Sequence, residues 1–153
     1  MEREMIPLKE IVYDARSRNG LWCCLPYPGH PKGCPQFPKC PALQVDFLEV
    51  KDCYDWVAVI EDFNLKSYAD ERKKLHPEYS ERQARNLLYW QGGVRSRLKK
   101  KAYSIPGALV LEIPEASGIN VFETMDLVGL HLMRNPDIVH KIMFVGVPLR
   151  RGL

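Results

Sequence analysis

The sequence has no long apolar run, and this absence excludes a membrane-spanning helix. Its longest apolar stretches, such as "WVAVI" and "ALVLEI", fall far short of the roughly 20 residues that a bilayer-spanning helix needs. The N-terminus is charged from residue 2 and has no apolar core, so we expect no secretory signal and no membrane partner. We therefore expect a cytoplasmic location, where thiols stay reduced and clustered cysteines are more often ligands or catalysts than disulfides.

The sequence also lacks a strong excess of charge, internal repeats and the standard catalytic motifs. Its net charge of +3 is mild for a dedicated nucleic-acid-binding protein. No phosphate-binding loop, carboxylate pair or Ser-His-Asp order stands above background. Hydrophobic residues make up 46% of the chain and charged residues 27%, an ordinary globular mixture. A chain of 153 residues can bury a core, so we predict a single domain over residues 1–153.

Strand and helix patterns are interspersed along the chain. Four stretches have the composition of strands: 44–50, 54–62, 107–114 and 138–149. Three stretches have helical spacing behind a capping residue: 65–76 after Asn64, 81–102 after Ser80 and 121–133 after Asn120. The pattern predicts an α/β or α+β fold with a sheet of about four strands and three to four helices.

What the sequence has in abundance is thiols, concentrated in one proline-rich stretch. Residues 21–41, "LWCCLPYPGHPKGCPQFPKCP", hold four of the five cysteines, one of the four histidines and six of the twelve prolines. Proline removes backbone donors, so regular hydrogen-bond ladders cannot organise this cysteine-rich segment. Proline also stiffens a loop that must bring distant thiolates together. We therefore predict an N-terminal metal-binding loop, and we expect the fifth cysteine, Cys53, in the core beside a strand.

The spacing of the cysteines leaves the metal and the full ligand set open. Ten residues separate Cys23 from Cys34 and five separate Cys34 from Cys40, and the Cys-x-x-Cys knuckles of zinc fingers are missing. Three thiolates with an open fourth position suit an iron–sulfur cluster, which the irregular spacing slightly favours. Four ligands drawn from Cys23 or Cys24, His30, Cys34 and Cys40 suit zinc. The alternative is that these cysteines are small buried residues of a proline-rich cap.

Two stretches of the chain resemble a family of small archaeal and bacterial proteins described as predicted metal-binding proteins. They are "WCCLPYPGHPKGCPQFPKCP" and "PEASGINVFETMDLVGL", with a weaker similarity in "RQARNLLYWQ". The resemblance implies a metal or cluster held by Cys23, Cys34 and Cys40. The family pattern has a cysteine just before "PEA", where this chain has Ile113. If that cysteine is a ligand in the family, the site of this chain is altered.

A basic cluster near the end of the second predicted helix is the other candidate site. It consists of Arg95, Arg97, Lys99, Lys100 and Lys101, and Tyr89 and Trp90 precede it. A helix over 80–103 with these residues can lie along RNA or DNA phosphates while the aromatic rings stack on bases. The alternative is a solvated helix end whose cations complement the helix dipole.

Three hypotheses about function follow from these patterns. The first is a metalloprotein, which would be an enzyme acting on an unidentified small molecule if the metal keeps an open position. The second is a nucleic-acid-binding module with structural zinc and the basic helix. The third is a protein-interaction subunit without chemistry of its own.

Overall fold

The structure is a computed structural model that describes residues 5–14, 45–133 and 136–149. The described residues form four strands: β1 (Met5–Leu8), β2 (Tyr54–Asn64), β3 (Leu109–Leu111) and β4 (Ile138–Pro148). They form five α-helices: α1 (Phe47–Val50), α2 (Leu65–Leu75), α3 (Glu81–Ala84), α4 (Leu87–Ala102) and α5 (Val121–Asp126). Two 3₁₀ turns cover Lys51–Cys53 and Pro114–Ser117. The predicted α+β domain with a four-stranded sheet is confirmed.

The sheet has the strand order β1-β2-β4-β3, and every neighbouring pair is antiparallel. β2 and β4 pair over their full length, from Tyr54 opposite Pro148 to Asn64 opposite Ile138. β3 stops at Leu111, opposite Phe144, so β4 continues beyond the end of β3. Within the described residues, no helix is long and apolar enough to cross a bilayer.

Each face of the sheet is covered by different elements. On the first face, even-numbered residues of β2 and β4 pack against α1, α5 and the turn before α5. The buried side chains of this cluster include Trp56, Ala58, Ile60, Phe144, Phe47, Ile119 and Met125. On the second face, α4 covers the odd-numbered residues in two separate apolar clusters. One contains Val59, Met143, Val145, Leu98 and Ala102, and the other contains Phe63, Val139, Trp90 and Val94.

The three predicted helix caps are confirmed. Asn64 accepts a hydrogen bond from the backbone N–H of Ser67 at 3.0 Å and begins α2. Ser80 and Gln83 form the reciprocal capping box of α3. Asn120 accepts from the backbone N–H of Glu123 at 3.0 Å and begins α5. The local hydrogen-bonding chemistry of these residues is therefore enough to place the helix starts.

The strand predicted at 44–50 is wrong, because residues 47–50 form α1. Asp46 accepts a hydrogen bond from the backbone N–H of Leu48 at 3.0 Å and acts as the N-cap of this single turn. The alternation of apolar residues here also fits a helical turn that buries one side chain, and that side chain is Phe47.

The single helix predicted over 81–102 is two helices. Arg85, with φ −94° and ψ 7°, ends α3, and α4 begins two residues later. The guanidinium of Arg85 holds the break, since it donates to Glu81 at 2.9 Å and to the carbonyl of Pro136 at 3.1 Å. The indole N–H of Trp90 donates to the carbonyl of Arg85 at 3.2 Å. These are tertiary contacts, which override the continuous helical pattern.

Two further elements are shorter than predicted. The strand expected at 107–114 is limited to β3, and the 3₁₀ turn Pro114–Ser117 follows it. The helix expected at 121–133 ends at Asp126, and Gly129 adopts a left-handed φ of 84° just beyond it. The apolar residues at 128, 130 and 132 still pack on the first face of the sheet, which explains the helical pattern of the sequence.

Candidate functional site

The predicted metal ligands Cys23, Cys24, His30, Cys34 and Cys40 lie outside the described residues. Cys53 lies within them, in the 3₁₀ turn before β2, and its thiol is free and exposed. The expectation that Cys53 belongs to the core is wrong, because the turn directs it to solvent before the strand begins. The structure describes the chain on both sides of the cysteine-rich segment, up to Asp14 and from Val45 onwards.

The chain leaves the described framework after Asp14 and returns at Val45. The residues on the two sides of this gap are in contact, because the hydroxyl of Tyr13 donates to Oδ2 of Asp46 at 3.4 Å. This contact joins the described chain before the gap to the described chain after it. We call the set Val12, Tyr13, Asp14, Asp46 and Gly118 the stem of residues 15–44.

The outgoing arm of the stem is held by backbone hydrogen bonds. The N–H of Asp14 donates to the carbonyl of Gly118 at 2.7 Å, and the N–H of Asn120 donates to the carbonyl of Val12 at 2.8 Å. The N–H of Val12 donates to the hydroxyl of Thr124, a fully buried side chain, at 3.0 Å. The direction of the chain at residue 14 is consequently fixed by several independent contacts.

The ring of Tyr13 lies directly against Gly118. A Cβ atom at position 118 would be 2.2 Å from Cε2 of Tyr13, a distance that real Cβ atoms do not show. Gly118 also has a φ of 95°, in the left-handed region that glycine adopts without a steric penalty. Glycine is therefore required at this position by the backbone and by the packing of the stem.

The returning arm is fixed by Asp46 and α1. Asp46 caps α1 with one carboxylate oxygen and accepts from Tyr13 with the other. Phe47 follows and is only 4% exposed, with its ring 5.1 Å from that of Trp56 in an edge-to-face arrangement. Both arms are thus tied to the first face of the sheet.

The stem ties the chain before the cysteine-rich segment to the second stretch, "PEASGINVFETMDLVGL". The outgoing arm precedes the cysteine-rich stretch, and its hydrogen-bond partners belong to the second stretch, 114–130. The sequence showed "EASGIN" as a turn, without a partner for it. Tyr13 and Asp46 were missed because their contact joins residues 33 positions apart, for which a single sequence contains no signal.

The described residues offer no competing metal site. Among residues 5–14, 45–133 and 136–149, no group of three or more His, Cys, Asp or Glu side chains is arranged to hold a metal ion. Residues 15–44 were not part of this search, because they lie outside the described part of the chain. Those residues include four cysteines, and thiolates are the usual ligands of zinc and iron–sulfur centres.

The basic cluster of α4 is largely paired within the protein. Arg97 and Lys101 bind Glu61 of β2 at 3.2 and 2.6 Å. Arg95 and Lys99 bind Glu112 at 3.3 and 3.5 Å. Lys100 forms no ion pair with a described residue. Four of the five cations therefore hold α4 to the sheet and to the end of β3.

The electrostatics of the two glutamates agree with this pairing. Burial acts to raise the pKa of Glu61, but hydrogen bonds from Lys101 and Arg97 outweigh it, and the pKa is lowered. Burial acts in the same way on Glu112, and the hydrogen bonds from Tyr103 and Arg95 again leave the pKa lowered. Both side chains are therefore carboxylates that their cationic neighbours stabilise.

The aromatic residues near the cluster are also engaged. Trp90 is 6% exposed, and its ring stacks on that of Phe63 with centroids 4.8 Å apart. Tyr89 is exposed, and the guanidinium of Arg72 lies over its ring, 4.7 Å from the centroid. The indole of Trp90 is therefore a core group, and stacking on a base would require Tyr89 to exchange its contact with Arg72.

No protein-family model, curated protein or solved structure matches this chain.

Proposed function

We propose that the protein is a metal-binding protein that holds an iron–sulfur cluster or zinc through Cys23, Cys34 and Cys40. Cys24, His30 or an external ligand supplies the fourth position. The observation that carries the proposal is the stem, in which Tyr13 and Asp46 meet across residues 15–44, a stretch of 30 residues that contains the cysteine-rich segment. The stem holds the described chain on both sides of the stretch that carries the proposed ligands.

The physical argument concerns the cost of closing the chain around the proposed site. Closing a flexible loop of 30 residues costs up to about 3 kcal/mol, from the logarithmic dependence of closure entropy on loop length. The contacts of the two arms with Gly118, Thr124 and α1 offset this entropy cost when the domain folds.

A fourth position open to solvent would allow the bound metal to act as a Lewis acid on a small molecule. The described residues hold the chain in place at Asp14, before the proposed site, and at Asp46, after it. They also provide an exposed thiol, Cys53, that follows the returning arm by seven residues. This thiol serves as an internal control for the ligand assignment.

The test is metal analysis of protein purified without oxygen, combined with its visible absorption spectrum. We expect bound iron with a brown colour, or bound zinc without colour, in the wild type and in Cys53→Ser. We expect the metal to be lost in Cys34→Ser. Metal-free wild-type protein would contradict the proposal, and unchanged metal in Cys34→Ser would contradict the ligand set.

We do not propose nucleic-acid binding as the function, because the cations that suggested it are paired with Glu61 and Glu112.

A further inference from the structure

We draw no further inference here: the strongest candidate, the side-chain cluster between α2 and α4 in which the guanidinium of Arg72 lies over the rings of Tyr79 and Tyr89, is accounted for by these cation–π contacts, and nothing in the described part of the chain shows what would bind to it.

Discussion

At the scale of single residues, Gly118 carries the most stringent requirement in the described part of the chain. It combines a left-handed φ of 95° with direct contact to the ring of Tyr13. Gly118→Ala should destabilise the protein by at least about 1–3 kcal/mol, the cost of a strained left-handed residue, because the methyl group also displaces Tyr13. Chemical denaturation measures the change in the free energy of unfolding.

Gly92 is the matched control for this substitution. It lies inside α4, and a Cβ atom there would meet nothing within 4 Å. Gly92→Ala should stabilise the protein by about 0.5–1 kcal/mol, because alanine has the higher helix propensity. Equal effects of the two substitutions would contradict the account of the stem.

Tyr103 provides a second prediction at the residue scale. Burial and then the hydrogen bond to Glu112 raise its pKa from 10.0 to about 12. Since the pKa is above its unfolded value, the contribution of Tyr103 to stability is complete below pH 10 and is lost as the pH rises towards 12. Spectrophotometric titration should show, in the wild type, one tyrosine that ionises at a higher pH than the others. This tyrosine should be absent from the titration of Tyr103→Phe. A Glu112→Gln variant should return Tyr103 towards its ordinary pKa.

At the scale of elements, α4 is attached to the sheet by charge as well as by apolar packing. Glu61 is the centre of one attachment, and its pKa is lowered by Lys101 and Arg97 despite its burial. The contribution of Glu61 to the free energy of unfolding is fully present above pH 4.5, its pKa in the unfolded chain. This contribution is lost as the pH falls through the lower pKa of Glu61 in the folded protein. Glu61→Gln should therefore cost about 1–3 kcal/mol at pH 7 and have a smaller effect in acid.

The matched control for Glu61→Gln is Glu71→Gln on the exposed surface of α2. We expect this control to change the free energy of unfolding by less than about 0.5 kcal/mol at any pH. Urea denaturation at several pH values compares the two variants. A pH-independent loss in Glu61→Gln would show that packing, and not charge, is responsible.

The elements also show which parts of the fold a single sequence can predict. β2, α2 and β4 were predicted nearly to the residue, because runs rich in strand-forming residues and the capping residue Asn64 are local signals. The break between α3 and α4 was not predicted, since it depends on contacts of Arg85 with Pro136, 51 residues away. The stem was missed for the same reason. Local patterns identify elements, and long-range contacts decide where they end.

At the scale of the whole molecule, the stem connects the folded domain to the proposed metal site. Tyr13→Ala removes the ring that packs on Gly118 and the hydrogen bond to Asp46. Metal affinity should fall about tenfold, within the 3 kcal/mol limit of loop closure for 30 residues. Competition with a chelator measures this affinity, and Tyr89→Ala on the exposed face of α4 is the control.

If the stem and the metal site stabilise each other, bound metal should also raise the free energy of unfolding. A ligand that binds the folded protein alone stabilises it by about 2.7 kcal/mol at a hundredfold excess over its dissociation constant. Removal of the metal should accordingly lower the melting temperature of the wild type and leave that of Cys34→Ser unchanged. An equal response of both proteins to the chelator would mean that the metal binds elsewhere.

The most direct test of the central claim is the X-ray absorption spectrum of the metal in protein purified without oxygen. The proposal predicts a first coordination shell dominated by sulfur at about 2.3 Å, the length of a metal–thiolate bond. A shell of oxygen and nitrogen alone, or protein that carries no metal, would contradict it.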